Sequence, residues 1–168
     1  PDGYKIYEYT GGACTLTQKA TTLHPNTTVE EGTLSANTQY SRCARAYRGA
    51  ITGQPAANFS AYTSIQTPTG ISWGTVTINS IQLSAAGTIS NLTAGTSGLY
   101  FTETSANPGG DGVPDGFLAW TQTNDLTDTG LNSNTSYCYK AKGRNGDSDE
   151  TGETTPACHN TNPDVPAD

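Results

Sequence analysis

Leu34-Ser35-Ala36-Asn37-Thr38-Gln39-Tyr40 and Leu131-Asn132-Ser133-Asn134-Thr135-Ser136-Tyr137 share one pattern, LxxNTxY, 97 positions apart. Gly3-Tyr4-Lys5-Ile6-Tyr7-Glu8 finds a weaker echo in Gly98-Leu99-Tyr100-Phe101-Thr102-Glu103, displaced by 95. Two matches in the same order at nearly one offset mark an internal repeat of about 95 residues, the size of a small β-sandwich. The chain has 168 residues and therefore holds less than two full copies.

The surroundings of the repeat read as β-structure. No stretch of ten residues keeps apolar side chains at i, i+3 and i+4 without Gly, Pro or β-branched clusters breaking it, so no helix is expected. Alternation shows instead in Tyr4-Lys5-Ile6-Tyr7, Thr75-Val76-Thr77-Ile78, Ile81-Gln82-Leu83 and Tyr137-Cys138-Tyr139-Lys140-Ala141, each bounded by turn-forming residues. Only 33% of the residues are hydrophobic and 14% charged, both below the globular average, and 29 Thr with 13 Ser make up a quarter of the chain. Such a composition suits thin sheets joined by many turns. Short strands at a spacing of about ten residues point to a Greek-key sandwich. Within such a sandwich Leu34 and Leu131 pack under the crossover, and Tyr40 and Tyr137 return their hydroxyls to backbone a few residues upstream, a scaffold role.

A net charge of −7 with only eight Lys and Arg excludes a phosphate-binding surface and hence nucleic acid as a partner. No apolar run approaches the length of a membrane span. The chain opens on Pro1 with no apolar leader, so any signal peptide is expected to have been removed or to lie outside this stretch. The four Cys, at 14, 43, 138 and 158, form no CxxC pair, which favours disulfides in an oxidising compartment over zinc or redox chemistry.

On the tyrosine corner in both halves, on Asn37-Thr38-Gln39-Tyr40-Ser41-Arg42 leading into Ala44-Arg45-Ala46-Tyr47, on Tyr137 leading into Lys140-Ala141-Lys142-Gly143-Arg144-Asn145-Gly146, and on Ile71-Ser72-Trp73-Gly74-Thr75-Val76 feeding Ser80-Ile81-Gln82-Leu83-Ser84, the sequence resembles tandem fibronectin type III modules, particularly the Thr-rich bacterial kind repeated in surface and secreted proteins. The resemblance covers nearly the whole chain. It implies an all-β fold of two immunoglobulin-like Greek-key sandwiches, the first lacking its A and B strands. Residues 1–68 would be a partial module of strands C to G, 69–160 a complete module, and 161–168 a tail or linker. The expected strands of the partial module are C near 4–10, E near 27–33, F near 38–47 and G near 59–66. Those of the complete one are A around 71–77, B around 80–86, C around 98–104, C′ around 117–122, E around 126–130, F around 135–143 and G around 151–158. Ala85 stands where a B-strand Trp is common, with Trp73 or Trp120 to supply the ring.

Without A and B, the partial module would bare an apolar face including Tyr4, Ile6 and Tyr40. Either the chain is a segment of a longer protein, or another chain inserts strands in trans. In the modules so aligned, the expected disulfides are Cys14–Cys43 and Cys138–Cys158, with free thiols as the alternative. Alternation along strand F turns Cys138, and Cys43 by analogy, outward.

Little else signals chemistry. His24 and His159 lie near no nucleophile, and the carboxylates at Glu30-Glu31 and at Asp147, Asp149, Glu150 and Glu153 read as solvated turns. The expectation is no enzyme, no catalytic residue and no cofactor, with calcium at Asp111 and Asp115 of the turn-rich 107–116 stretch as the one metal alternative. Asn26, Asn58, Asn91 and Asn134 are candidate glycosylation positions. The function so implied is a non-catalytic structural or adhesive module of an extracellular or cell-surface protein, or a repeating subunit of an extracellular assembly. Its partner would be protein, including neighbouring copies or strands completing the first module. The alternative is a glycan-binding accessory module of a secreted enzyme, using Trp73, Trp120 and Tyr rings.

Overall fold

The computed structural model describes residues 1–105 and 120–164. These form eleven strands, all paired antiparallel, and no helix. The chain divides into two compact units, Pro1–Thr63 and Ser64–Asp168.

The first unit is a single sheet. Its strands are β1 (Gly3–Thr10), β2 (Ala13–Leu23), β3 (Gln39–Arg48), β4 (Ile51–Thr52) and β5 (Phe59–Tyr62), ordered β2-β1-β3-β4 with β5 also on β3. In module terms β2, β1, β3 and β5 are C′, C, F and G. Strand β2 was not expected, because ACTLTQKATTL lacks apolar alternation. The available signal was Gly11-Gly12, whose φ values of 59° and 82° make the tight turn that folds β2 back on β1. Conversely, the E strand expected near 27–33 does not form, and residues 24–38 carry no strand.

The second unit packs one three-stranded sheet on another. Strands β6 (Gly70–Val76), β7 (Ser80–Ala86) and β9 (Asp125–Thr129) form one, and β8 (Gly98–Glu103), β10 (Ser136–Arg144) and β11 (Ala157–Asn160) the other. These are A, B and E opposite C, F and G. Inward side chains recur at every second position: Ile81, Leu83 and Ala85 on β7, Leu99 and Phe101 on β8, Tyr137, Tyr139 and Ala141 on β10, with Leu126 and Leu131 between the sheets. Trp73 supplies the ring that Ala85 omits, meeting Tyr139 edge-on at 6.0 Å. Trp120 instead sits beside Tyr100, 5.5 Å away.

Three expected boundaries move. The division falls after Thr63 rather than at Pro68, because Ile65 is buried in the second unit close to Gly143 and Gln66 bonds Ser90. Strand G shrinks to 157–160: residues 151–156 attach to β10 through the Thr151 and Thr154 hydroxyls, which accept from the Gly143 and Ala141 N–H groups. Residues 161 and 162 are no tail, since Thr161 is 2% exposed and both are bonded into the second unit's corner. Of the expected C′ strand, residues 117–119 lie outside the described residues, while Thr121 bridges Leu99.

Candidate functional site

The two LxxNTxY elements fold into the same corner, bond for bond. Tyr40 Oη accepts the Ser35 N–H at 3.0 Å, and Tyr137 Oη accepts the Asn132 N–H at 2.9 Å. Thr38 and Thr135 hydroxyls donate to the carbonyls two residues back, at 3.0 and 2.9 Å. Asn37 and Asn134 take left-handed φ values of 46° and 49°, a conformation Asn tolerates better than most residues. One side chain that sequence reading missed completes each lock. Thr63 Oγ1 donates to Ser35 O and accepts the Thr38 N–H, and Thr161 Oγ1 does the same with Asn132 O and the Thr135 N–H. The signal was present in the sequence: Thr63 and Thr161 are 98 positions apart, nearly the repeat offset.

The echo at Gly3 and Gly98 has an equally local cause. A Cβ on Gly98 would stand 3.0 Å from Thr121 O and 3.2 Å from Trp120 Cβ, and one on Gly3 would collide with Thr22 O. In both units a C′ backbone passes too close for a side chain.

Equivalent positions also carry one polar tie across each unit. In the second, the Tyr139 hydroxyl donates to buried Asp128 Oδ2 at 2.7 Å, linking β10 to β9. Burial first, then this bond, drives the phenol pKa well above its ordinary value. Ninety-seven positions earlier stand Arg42 and Glu31. Arg42 Nε and Nη2 donate to the two Glu31 carboxylate oxygens, each at 2.7 Å, and Nη1 donates to Ser41 O. The bidentate bond holds the Glu31 carboxyl below its usual range and raises Arg42. Glu31 is thus an ion-pair partner rather than a solvated turn residue. Glu150 and Glu153 likewise pair with Lys142 and Lys140, at 2.6 and 3.0 Å, and Asp149 accepts from Asn145.

The disulfides join Cys14 to Cys43 and Cys138 to Cys158. Cys138 and Cys158 face each other in the β10–β11 register. Cys43 lies on the sheet face opposite Ile6 and Tyr40 as expected from alternation, yet it is fully buried, because Cys14 covers it. Around these bridges the outward faces carry cations over rings: Lys5 over Tyr47, Arg45 over Tyr7, and Lys142 and Arg144 over Trp120. Arg45 Nε and Arg144 Nε have no hydrogen-bond partner among the described residues and lie against rings instead. Tyr100 and Trp120 are tilted by 53°, with Arg144 4.6 Å from the Trp120 ring centre.

The inward face of the first unit is open. Ile6, Ala20, Leu34, Tyr40, Ala44 and Phe59 line a groove of about 510 Å³, into which the 27–34 segment leans through Glu31. Ile6 is paired with Ala44 in the β1–β3 register, just as Phe101 is paired with Ala141 in β8–β10. Phe101 and Ala141 are at most 1% exposed, whereas Ile6, Ala44 and Tyr40 are half-buried and Phe59 is 51% exposed.

Elsewhere, His24 is exposed and His159 lies tilted against Trp73, ring centres 5.2 Å apart. Asn26, Asn58, Asn91 and Asn134 are all exposed. Asp111 and Asp115 lie outside the described residues, and among those described no group of three His, Cys, Asp or Glu is placed to hold a metal. No described helix is long and apolar enough to cross a membrane.

No family model and no curated protein matches the sequence. Solved structures do. The FN1–FN3 domains of chicken CNTN1 align over 95% of this chain at 15% identity and a TM-score of 0.40, this chain spanning 56% of that one. A two-domain fibronectin type III segment of chicken tenascin aligns over 95% of this chain and 85% of its own, at 17% identity and a TM-score of 0.54. With the strand orders above, this chain has the all-β immunoglobulin-like fold of fibronectin type III modules.

Proposed function

We propose that the chain is a non-catalytic structural or adhesive part of an extracellular or cell-surface protein, with protein as its partner. The observation that carries this reading is the duplicated corner. The residues that repeat between the halves spend their polar groups on their own backbone, which preserves a shape and leaves lateral surface for contact. Both disulfides support an oxidising location, and the acidic, Thr-rich composition keeps such surfaces soluble.

The test is where the chain resides and in what redox state. Antibody labelling of intact, unpermeabilised producing cells and of their medium should find it outside, with no Cys alkylated before reduction. A chain confined to the cytosol with alkylatable thiols would overturn the reading, as would turnover of a substrate by the purified chain.

A further inference from the structure

We propose that the outward face of the first unit, built on Lys5 and Arg45, docks the acidic turn 147–150 of a second copy of this chain. This deepens the protein-partner reading above and rests on it.

The two units treat the cations of strand F differently. In the second, Lys142 and Lys140 of β10 meet Glu150 and Glu153. Both carboxylates belong to the segment after β10, which is tied back to it by the Thr151 N–H donating to Gly143 O and the Thr154 N–H donating to Ala141 O, at 2.8 and 2.9 Å. The first unit repeats this attachment: the Gly53 N–H donates to Ala46 O and the Ala56 N–H to Ala44 O, each at 2.8 Å. Its acceptors lie 97 positions earlier and its donors 98. At the places of Glu150 and Glu153 stand Thr52 and Pro55, and no Asp or Glu occurs between Glu31 and Glu103.

The cations themselves remain. Arg45 takes the place of Lys142, and its register partner is Lys5 where that of Lys142 is Tyr100. Two like charges therefore stand directly opposite one another, which is unfavourable unless an anion lies over them. Lys5 Nζ is 5.0 Å from the centre of the Tyr47 ring and Arg45 Cζ 5.6 Å from that of Tyr7. Neither cation has an ion pair among the described residues. The carboxylates of the unit are placed elsewhere: Asp2 accepts the Gly49 N–H, Glu8 meets Lys19, Glu31 meets Arg42, and Glu30 stands beside Glu31 on the 24–38 segment.

Charge complementarity identifies the occupant. Residues 1–63 hold five Lys and Arg against four Asp and Glu, a net +1, whereas residues 64–168 hold three against eleven, a net −8. Asp147, Asp149 and Glu150 crowd one exposed turn after β10. The rings beneath Lys5 and Arg45 already hold both cations over the sheet, so pairing costs little side-chain freedom. A contact between two different patches is heterologous and can repeat from copy to copy.

The experiment is analytical ultracentrifugation of the whole purified chain over a concentration series, at about 20 mM and about 500 mM salt. The chain should associate at low salt, with its apparent dissociation constant weakened about tenfold or more at high salt. Lys5→Glu with Arg45→Glu reverses the face, and Asp147→Lys with Asp149→Lys reverses the turn. Each double variant, its fold checked by its urea midpoint and by the reactivity of its thiols before reduction, should sediment as a monomer at low salt. An equimolar mixture of the two should associate again, because each supplies the charge the other has lost. A parent chain that stays monomeric at low salt overturns the inference. So does association that persists in either variant alone, and so do folded variants whose mixture stays monomeric. Retention on immobilised heparin that depends on Lys5 and Arg45, without self-association, assigns the face to a polyanionic glycan and overturns the second copy. Each of these failures leaves the extracellular reading standing, since that is decided by the labelling of intact cells.

Discussion

Replacing Tyr137 by Phe isolates the hydroxyl of the better-buried corner. The ring is fully buried and stays, so core volume is conserved. What disappears is the 2.9 Å bond from the Asn132 N–H. A neutral hydrogen bond contributes roughly 0.5–1.5 kcal/mol net, and more when its removal strands a buried partner. Asn132 is exposed, so water can reach the orphaned N–H, and the cost is set near the middle of that range, about 1 kcal/mol. For a unit of this size the melting temperature should fall by roughly 4–8 °C. Tyr137→Ala removes the ring as well and should cost about 3–5 kcal/mol. Urea unfolding followed by Trp fluorescence suits the measurement, because both Trp, 73 and 120, belong to the second unit and the first is silent. A Phe variant within about 0.3 kcal/mol of the parent, below the range for one bond, would refute the corner as a polar lock. So would a Phe variant as damaged as the Ala variant, since the bond alone cannot carry the ring's share.

The remaining expectations concern the ties and the close approaches. Gly98→Ala drives a Cβ toward Thr121 O and should destabilise the second unit by about 1–3 kcal/mol in the same urea assay, whereas Gly152→Ala, with open space around it, should be near neutral. Replacing Cys138 and Cys158 together by Ser opens a 20-residue separation and should cost on the order of 3 kcal/mol, read as a lower urea midpoint. Because Arg42 lowers the folded pKa of Glu31, their pair adds stability above the unfolded value of roughly pH 4.3, and that share is lost as pH falls through the lowered folded value. Glu31→Gln should therefore weaken exchange protection of β3 by about 1–2 kcal/mol at neutral pH and differ little from the parent near pH 2. The raised Tyr139 pKa has the opposite sign: its contribution is whole below the unfolded value of about 10 and declines as pH rises past it, so Tyr139→Phe should flatten the alkaline loss of stability.

Much of the fold was legible because its signals are local. Alternation marked β7 and β10, the module resemblance placed β6 to β10 within a residue or so, and the LxxNTxY pair marked both corners, since a left-handed Asn and a returning Tyr hydroxyl act within a few residues of one another. Strand β2 escaped because Thr satisfies a sheet without alternating, and only Gly11-Gly12 announced it. The 24–38 segment was misread for the converse reason. Its residues match a strand that exists elsewhere in the same chain, but a strand needs a neighbour to take its hydrogen bonds, and neighbours are a property of the assembled sheet.

By itself the amino-acid sequence determined the period, the strand faces and the corner chemistry, all of which depend on side chains close together along the chain. Tertiary structure alone decided that Thr63 and Thr161 close those corners, that Arg42 finds Glu31, and that Ile6 and Ala44 stand uncovered where Phe101 and Ala141 are sealed. Burial and pairing join residues far apart in sequence, and whether a face is covered depends on which second sheet lies against it.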